Sequence, residues 1–409
     1  MALRHISMLT AIALCCIDTV AWNTLKQDGY GHFNASYKII PQLVTTPISL
    51  NNITLNNDLD SVDAMPAKEV YILNVENNIR NHPKMQRIIE RTITPAVQAL
   101  YGYDNITACY SLVRRYRQYR TSHDMHYDGH ALVTVVVSLS DYGTDYTGGL
   151  YVATSRGSAR TFLKLNKGDA VIHKSDLLHG VEANGTRWSW IIWYKDSATC
   201  QDHSEHWFAN CAQNGNPTCQ LLHANKMKQQ NLAIKWNKEA AKNGHGEARV
   251  KMARAYLKRL PSKLPKSIRK ARSLFRAAVR DSNEPDAHYG LAELILLRKD
   301  QPIEQAVQHL YTAARLGHRF AMFNVGIAET YGFAPKTKHN WFIKSGLPEG
   351  FAMAALHANT TAEQHQYKQH AVEIGYGRRD RLYGRVRVGS GGASGTDINL
   401  RWPGQIPIL

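Results

Sequence analysis

Hydrophobic positions along the chain follow several successive patterns. The first is a largely apolar run over residues 6–17, preceded by Arg4 and closed by Asp18. It is short of the roughly 20 residues that a helix needs to cross a bilayer. Small residues follow at Thr19-Val20-Ala21, so residues 1–21 read as a signal peptide. Residues 22–66 are polar and keep no sustained period, which predicts loop or short irregular strands. From Ala67 the period becomes helical: Ile79, Met85, Ile88, Ile89, Ile93, Val97 and Leu100 recur every three or four residues, with a break expected near Pro95. Short β-rich runs then occupy 132–139, 150–153, 161–165, 170–172 and 188–194, separated by turns that contain Gly and Asp. That succession predicts a sandwich or barrel under a helical cover.

Beyond Cys200 the helical period returns as a repeat. A phrase of Ala followed by a helix-ending Gly occurs at Cys211 to Gly215, Ala240 to Gly244, Ala313 to Gly317 and Ala371 to Gly375. Ala277 to Asp281 is a variant, and a degenerate copy lies near Trp341 to Ala352. Small residues let paired helices approach, and Gly ends a helix in the left-handed conformation without a Cβ clash. Residues 201–376 are therefore expected to stack as helical hairpins, an α-solenoid. The last segment, 377–409, carries five Arg between 378 and 387 and then a Gly/Ser run, and reads as a flexible basic tail.

Charge changes the picture little. A formal net charge of +17, from 50 Lys and Arg against 33 Asp and Glu, favours acidic partners without naming one. Zinc-finger spacing, an RNP-like aromatic strand and a single dominant basic helix are all missing from the sequence, which argues against nucleic-acid binding. Cysteines say more. After Ala21 four remain, Cys109, Cys200, Cys211 and Cys219, an even number compatible with disulfides in an oxidising lumen but open to three pairings. His203 and His206 lie near Cys200 and Cys211, yet lack the paired spacing of a zinc site, so a disulfide at a domain junction is the better expectation. Sequons at Asn34, Asn52, Asn105, Asn184 and Asn359 agree with secretion.

Candidate chemistry concentrates ahead of the apolar strand that begins at Ala131. His126 and Asp128 stand two apart, so at a strand end both side chains can reach one ion. Downstream lie His173, His179 and Arg187, with His179 the better third ligand. Two imidazoles and one carboxylate leave positions open on an iron for a co-substrate and dioxygen together, and an Arg beside them can clamp a dicarboxylic acid. His123 with Asp124 is a rival pair, but adjacent side chains point to opposite faces of a strand, so His123 is given a structural role or one supporting a ligand from behind. His130 is expected to hydrogen-bond locally. Trp188, Trp190 and Trp193 read as core filling, while Tyr146 and Tyr151 are placed within reach of the cleft.

Over about residues 101–196 the sequence resembles the prolyl 4-hydroxylase-like branch of the 2-oxoglutarate oxygenases. The family's His-x-Asp falls on His126 and Asp128, its distal His on His179, its 2-oxoglutarate-binding basic residue on Arg187, and its strand entry on Gly148-Gly149-Leu150-Tyr151. Tyr116 and Ser189 match co-substrate contacts of relatives. His173 stands where relatives carry an apolar residue, and the loop from His179 to Arg187 is shorter than usual, with the Asn184 sequon inside it expected to be unglycosylated or to face the rim. The resemblance implies a double-stranded β-helix (jelly-roll) over 67–200 with flanking helices. It also implies Fe(II) held by His126, Asp128 and His179, 2-oxoglutarate held by Arg187, Tyr116 and Ser189, and ascorbate as an accessory. The implied activity is hydroxylation of a prolyl, or else a lysyl, residue in a peptide within the endoplasmic reticulum or outside the cell, without a membrane span after signal cleavage. The repeats around Gly244-His245-Gly246 and Gly317-His318 resemble Sel-one-like repeats of the tetratricopeptide superfamily, which implies a protein partner. The competing expectation is a catalytically silent oxygenase-like scaffold that presents these repeats.

Overall fold

The computed structural model of the chain describes residues 23–24, 36–48, 70–73, 82–103, 105–117, 122–196, 200, 204–257 and 266–373. The expected signal peptide, most of the 22–66 segment, His203, the side chain of His206, Asn34, Asn52 and the basic tail lie outside them. Two units divide the chain, residues 1–245 and 246–409. Together they are a mixed architecture of antiparallel sheets and helical repeats. Among the described residues no helix is long and apolar enough to cross a membrane.

In the first unit a seven-stranded antiparallel sheet has the order β1-β2-β9-β6-β11-β4-β3. Its members are β1 (Asn23–Thr24), β2 (Ser36–Ile40), β3 (Val70–Leu73), β4 (Thr107–Tyr116), β6 (Val133–Ser138), β9 (Ala170–Lys174) and β11 (Arg187–Lys195). A four-stranded antiparallel sheet has the order β5-β10-β7-β8, from β5 (Ser122–His126), β7 (Tyr146–Val152), β8 (Thr161–Phe162) and β10 (His179–Gly185). β10 corrects the sequence expectation of a loop there: its seven residues pair with β7 from His179 against Val152 to Gly185 against Tyr146. The chain then crosses directly from one sheet to the other through Gly185, whose φ of +99° suits glycine.

Alternation along the large sheet serves two different layers. Val113, Val133, Val135, Val137, Ala170, Ile172, Trp190 and Ile192 point to one face. There they meet Met85, Ile88, Ile89 and Ile93 from α1 (Pro83–Ile88) and the following π-helical turn Ile89–Ile93, and Ala96 and Val97 from α2 (Thr94–Tyr101). The helical period broken near Pro95 is thus one helix with a widened turn ahead of the proline, whose missing N–H is tolerated near a helix start. Leu112, Val136, Val171 and Ile191 point to the other face and pack on Leu150, Val152, Val181 and Ala183 of the small sheet. This second interior is where the site lies.

Three helices complete the first unit: α3 (Ser204–Gln213), α4 (Pro217–Lys226) and α5 (Gln230–Lys242). Of the three open pairings, the structure has Cys109–Cys200 and Cys211–Cys219. The first ties β4 to the stretch leading into α3, and the second joins α3 to α4. In the second unit, α6 (Gly246–Leu257), α7 (Ile268–Ser282), α8 (Pro285–Arg298), α9 (Ile303–Arg315), α10 (Arg319–Thr330), α11 (Trp341–Lys344), α12 (Pro348–Leu356) and α13 (Thr361–Glu373) follow one another. The repeat phrase marks the hairpin turns, with Gly244 at φ +99° and Gly317 at φ +98° just past α5 and α9. Inside the stack, a Cβ on Gly326 would lie 2.8 Å from the Phe342 ring, and one on Gly290 would collide with Phe275. Small residues are thus required for these close approaches, as the pattern predicted.

Removing the Cys109–Cys200 bond, which closes a span of 91 residues, should lower unfolding free energy by about 2–4 kcal/mol. Denaturant titration of a Cys109→Ser/Cys200→Ser variant checks this; an unchanged midpoint would show that the bond constrains nothing.

Candidate metal centre

The two-residue spacing of His126 and Asp128 spans a strand end and the turn after it. His126 is the last residue of β5, and Asp128 lies beyond it, where its carbonyl accepts a hydrogen bond from the Ala131 amide at 2.9 Å. His179, the first residue of β10, sits directly opposite His126 in the ladder. The three side chains offer ligand atoms that all lie within 4.8 Å of one another. α4 backs this turn, since Leu222 Cδ2 is 3.4 Å from where a Cβ on Gly129 would sit.

Hydrogen bonds set which atoms face the common point. His126 Nδ1 donates to the Asp124 carbonyl at 2.7 Å and His179 Nδ1 donates to the Leu177 carbonyl at 3.0 Å. A carbonyl only accepts, so the proton sits on Nδ1 in each neutral ring and Nε2 keeps its lone pair. Those Nε2 atoms lie 3.3 and 3.7 Å from the Asp128 carboxylate. Asp128 Oδ2 accepts from Thr134 Oγ1 at 2.7 Å and from Trp193 Nε1 at 3.2 Å, which leaves Oδ1 toward His126. Such outer partners orient ligating groups and tune their basicity.

Burial acts on both charges. It pushes the His179 imidazole down to about 3, so the ring is neutral at pH 7. Burial alone would raise the Asp128 carboxyl, but the His179 and His126 rings beside it hold it well below the ordinary carboxylate range. The result is an ionised carboxylate, 2% exposed, facing the neutral His179 ring and the Nε2 atom of His126. Such a donor set suits a divalent cation, which would supply the positive charge that the burial of Asp128 otherwise lacks.

Arg187 lies at the start of β11 on the same sheet face as Trp193. Its side chain is 1% exposed and stands 5.7 Å from the rings of both Tyr116 and Tyr146. Its Nε and one terminal nitrogen, with Ser189 Oγ, have no hydrogen-bond partner among the described residues. Tyr116 is the cross-strand partner of Arg187, and Arg114 that of Ser189. A buried guanidinium with open donors beside two hydroxyls is fitted to a carboxylate ligand. Gly149 makes room for it: a Cβ there would lie 3.6 Å from Arg187 Nε and 2.6 Å from the Tyr146 ring.

Other expected residues fall as follows. Tyr146 reaches the site through Arg187, whereas Tyr151 does not, because it packs with Met125 and Leu178 on the outer face of β7. Trp188 and Trp190 fill the helix-covered core and Trp193 fills the core between the sheets, as expected, while its Nε1 also donates to Asp128 Oδ2 at 3.2 Å. His123 stacks on His126 with ring centroids 4.3 Å apart, and His130 meets the edge of Trp193 at 4.6 Å. Asn184 is exposed on β10, on the side opposite Val181 and Ala183.

Sequence reasoning missed three groups. Thr134 carries no motif. Arg114 is 3% exposed and lies 3.5 Å from the Tyr116 hydroxyl, and only the β4–β11 register brings it to Ser189. His173, set aside for its family position, is 1% exposed beside His179 at 4.6 Å between rings, with Nε2 unpartnered among the described residues. Its alternation with Ile172 was the available signal.

Compared with known proteins, no curated protein matches the chain. Among solved structures it is similar to a Sel1 repeat protein from Oxalobacter formigenes, at 19% identity over 42% of this chain and 56% of that one, TM-score 0.38. It is similar to c5321, a protective antigen of uropathogenic Escherichia coli with an SLR fold, at 17% identity over 49% and 55%, TM-score 0.35. It is also similar to an oxidoreductase of the 2OG-Fe(II) oxygenase family from Burkholderia pseudomallei, at 11% identity over 46% and 78%, TM-score 0.25. The chain spans somewhat over half the length of the two repeat proteins, 56% and 55%. Residues 111–195 match the sequence profile of the 2OG-Fe(II) oxygenase superfamily, and this stretch contains all three residues of the cluster.

Proposed function

We propose that the first unit contains a double-stranded β-helix that hydroxylates a peptidyl residue, prolyl in preference to lysyl, at the expense of 2-oxoglutarate. His126, Asp128 and His179 would hold Fe(II). The observation that carries the reading is the convergence of these three groups within 4.8 Å in a unit that also buries Arg187 with open donors. Bound iron would supply the redox chemistry by which dioxygen gives one oxygen atom to 2-oxoglutarate, decarboxylated to succinate and CO2, and the other to the hydroxylated residue, ascorbate keeping the iron ferrous.

The chain's own groups have separate tasks. Arg187 would clamp the distal carboxylate of 2-oxoglutarate through a fork that Lys cannot reproduce, with Tyr116 and Ser189 hydroxyls as further donors. Thr134 and Trp193 hold Asp128 in one orientation. The apolar interior around Leu112, Val136, Val181 and Ile191 excludes water from the co-substrate. Two disulfides support placement in the secretory pathway, the endoplasmic reticulum lumen or outside the cell, where such bonds persist. The helical repeats would dock a protein partner or the peptide substrate.

Anaerobic Fe(II) titration should reveal one site per chain, lost in Asp128→Ala, and succinate production should vanish in His126→Ala, Asp128→Ala and His179→Ala. Succinate turnover retained in all three would reject the assignment, and absence of any Fe(II) site would favour a silent scaffold. Thr134→Val and Trp193→Phe should each weaken Fe(II) binding roughly tenfold; affinity equal to the parent would remove them from the site. Arg187→Lys should raise the dissociation constant for 2-oxoglutarate, measured by calorimetry on the metal-loaded protein, by roughly tenfold or more.

A further inference from the structure

The second unit carries a charged groove with no part in the oxygenase chemistry. α7 turns Ala271, Phe275 and Ala278 into the repeat core and sets Arg269, Arg272, Arg276 and Arg280 on its other side. Along that side they follow helical spacing, so like charges stack on successive turns, an arrangement that destabilises a helix by itself. Together with Arg298 at the end of α8 they line a groove of about 750 Å³. Arg269, Arg276, Arg280 and Arg298 are exposed.

Internal carboxylates answer only part of this charge. Arg272 pairs with Asp300 at 2.6 Å, and Arg280 with Asp281 at 2.6 Å. Arg269 and Arg276 have no carboxylate within ion-pair reach among the described residues. The groove continues into a second hollow of about 280 Å³ that shares Arg272, Arg276 and Arg280 and has an apolar floor of Val279, Leu291 and Ile295. Gln301, Gln305 and His309 also line it, the amides being suited to a peptide backbone. No Phe, Tyr or Trp lines either hollow, and the apolar lining of the second is aliphatic, which suits an aliphatic peptide side chain.

We propose that this groove binds an acidic peptide segment of a protein partner, its carboxylates on the Arg row and one aliphatic side chain on the Val279–Leu291–Ile295 floor. From Arg269 to Arg280 the helix runs about 16 Å, which an extended segment of about five residues covers. The groove belongs to the second unit and the metal centre to the first, so its failure leaves the oxygenase reading intact.

The test is fluorescence anisotropy of the full chain with a labelled peptide of alternating Glu and Asp around a central Leu. Comparison probes are the same peptide with Gln and Asn at the acidic positions, with Ser for Leu, and a single-stranded oligonucleotide of equal charge. The variant Arg269→Gln/Arg276→Gln changes only exposed side chains, and its far-ultraviolet dichroism and melting temperature serve as the folding check. Expected are salt-sensitive binding of the acidic peptide, a loss of roughly tenfold or more in the double variant and with the Gln/Asn peptide, and a smaller loss with Ser for Leu. Absence of binding, equal binding by parent and variant, indifference to the central Leu, or equally tight binding of the oligonucleotide would each overturn the proposal.

Discussion

The ionised Asp128 carboxylate, buried between two sheets, is the constraint on which the first unit turns. Taking a carboxylate out of water costs several kcal/mol unless hydrogen bonds and a nearby cation offset it. Thr134 and Trp193 supply two hydrogen bonds from the large sheet, and His126 and His179 present lone-pair nitrogens from the small one. No single element provides more than part of this environment. The sheet-to-sheet packing around Leu112, Val136, Val181 and Ile191 therefore determines the spacing of the donors as well as the stability of the interior.

Much of this arrangement is legible along the chain because its period is local. The His126 and Asp128 spacing, the β-rich runs and the Ala-to-Gly repeat phrase all concern neighbours within one element or one turn. The groups that escape detection depend on register between strands far apart in sequence. Thr134 faces Asp128 because β6 pairs with β11 opposite Trp193, and Arg114 meets Ser189 because β4 flanks β11 on its other side. β10 escaped as a strand because its Gly and Asn residues carry little strand propensity, and seven pairings with β7 override that weakness. The hydrogen bond of Trp193 escapes for a related reason: core filling is legible for it, but only the fold brings Asp128 to its indole nitrogen. Disulfide partners could not be chosen among three pairings without the positions of the Cα atoms.

The repeats show a different relation between pattern and structure. Each hairpin buries small residues against large ones from its neighbour, as Gly326 does against Phe342, so a short phrase is enough to indicate the stack. What the phrase leaves free is the surface. In α7 that surface is a row of Arg whose mutual repulsion is offset by the Arg272–Asp300 and Arg280–Asp281 pairs and by the buried Ala271, Phe275 and Ala278 on its other face. Core formation and surface chemistry are thus specified by interleaved positions of one helix.

The central claim is that two imidazoles and one carboxylate converge to hold iron. X-ray absorption at the iron edge of the anaerobic Fe(II)-loaded protein tests it most directly. The account predicts an oxygen and nitrogen shell with outer scattering from two imidazoles, falling to one in His179→Ala. A shell without imidazole scattering, or one unchanged by that substitution, would contradict it.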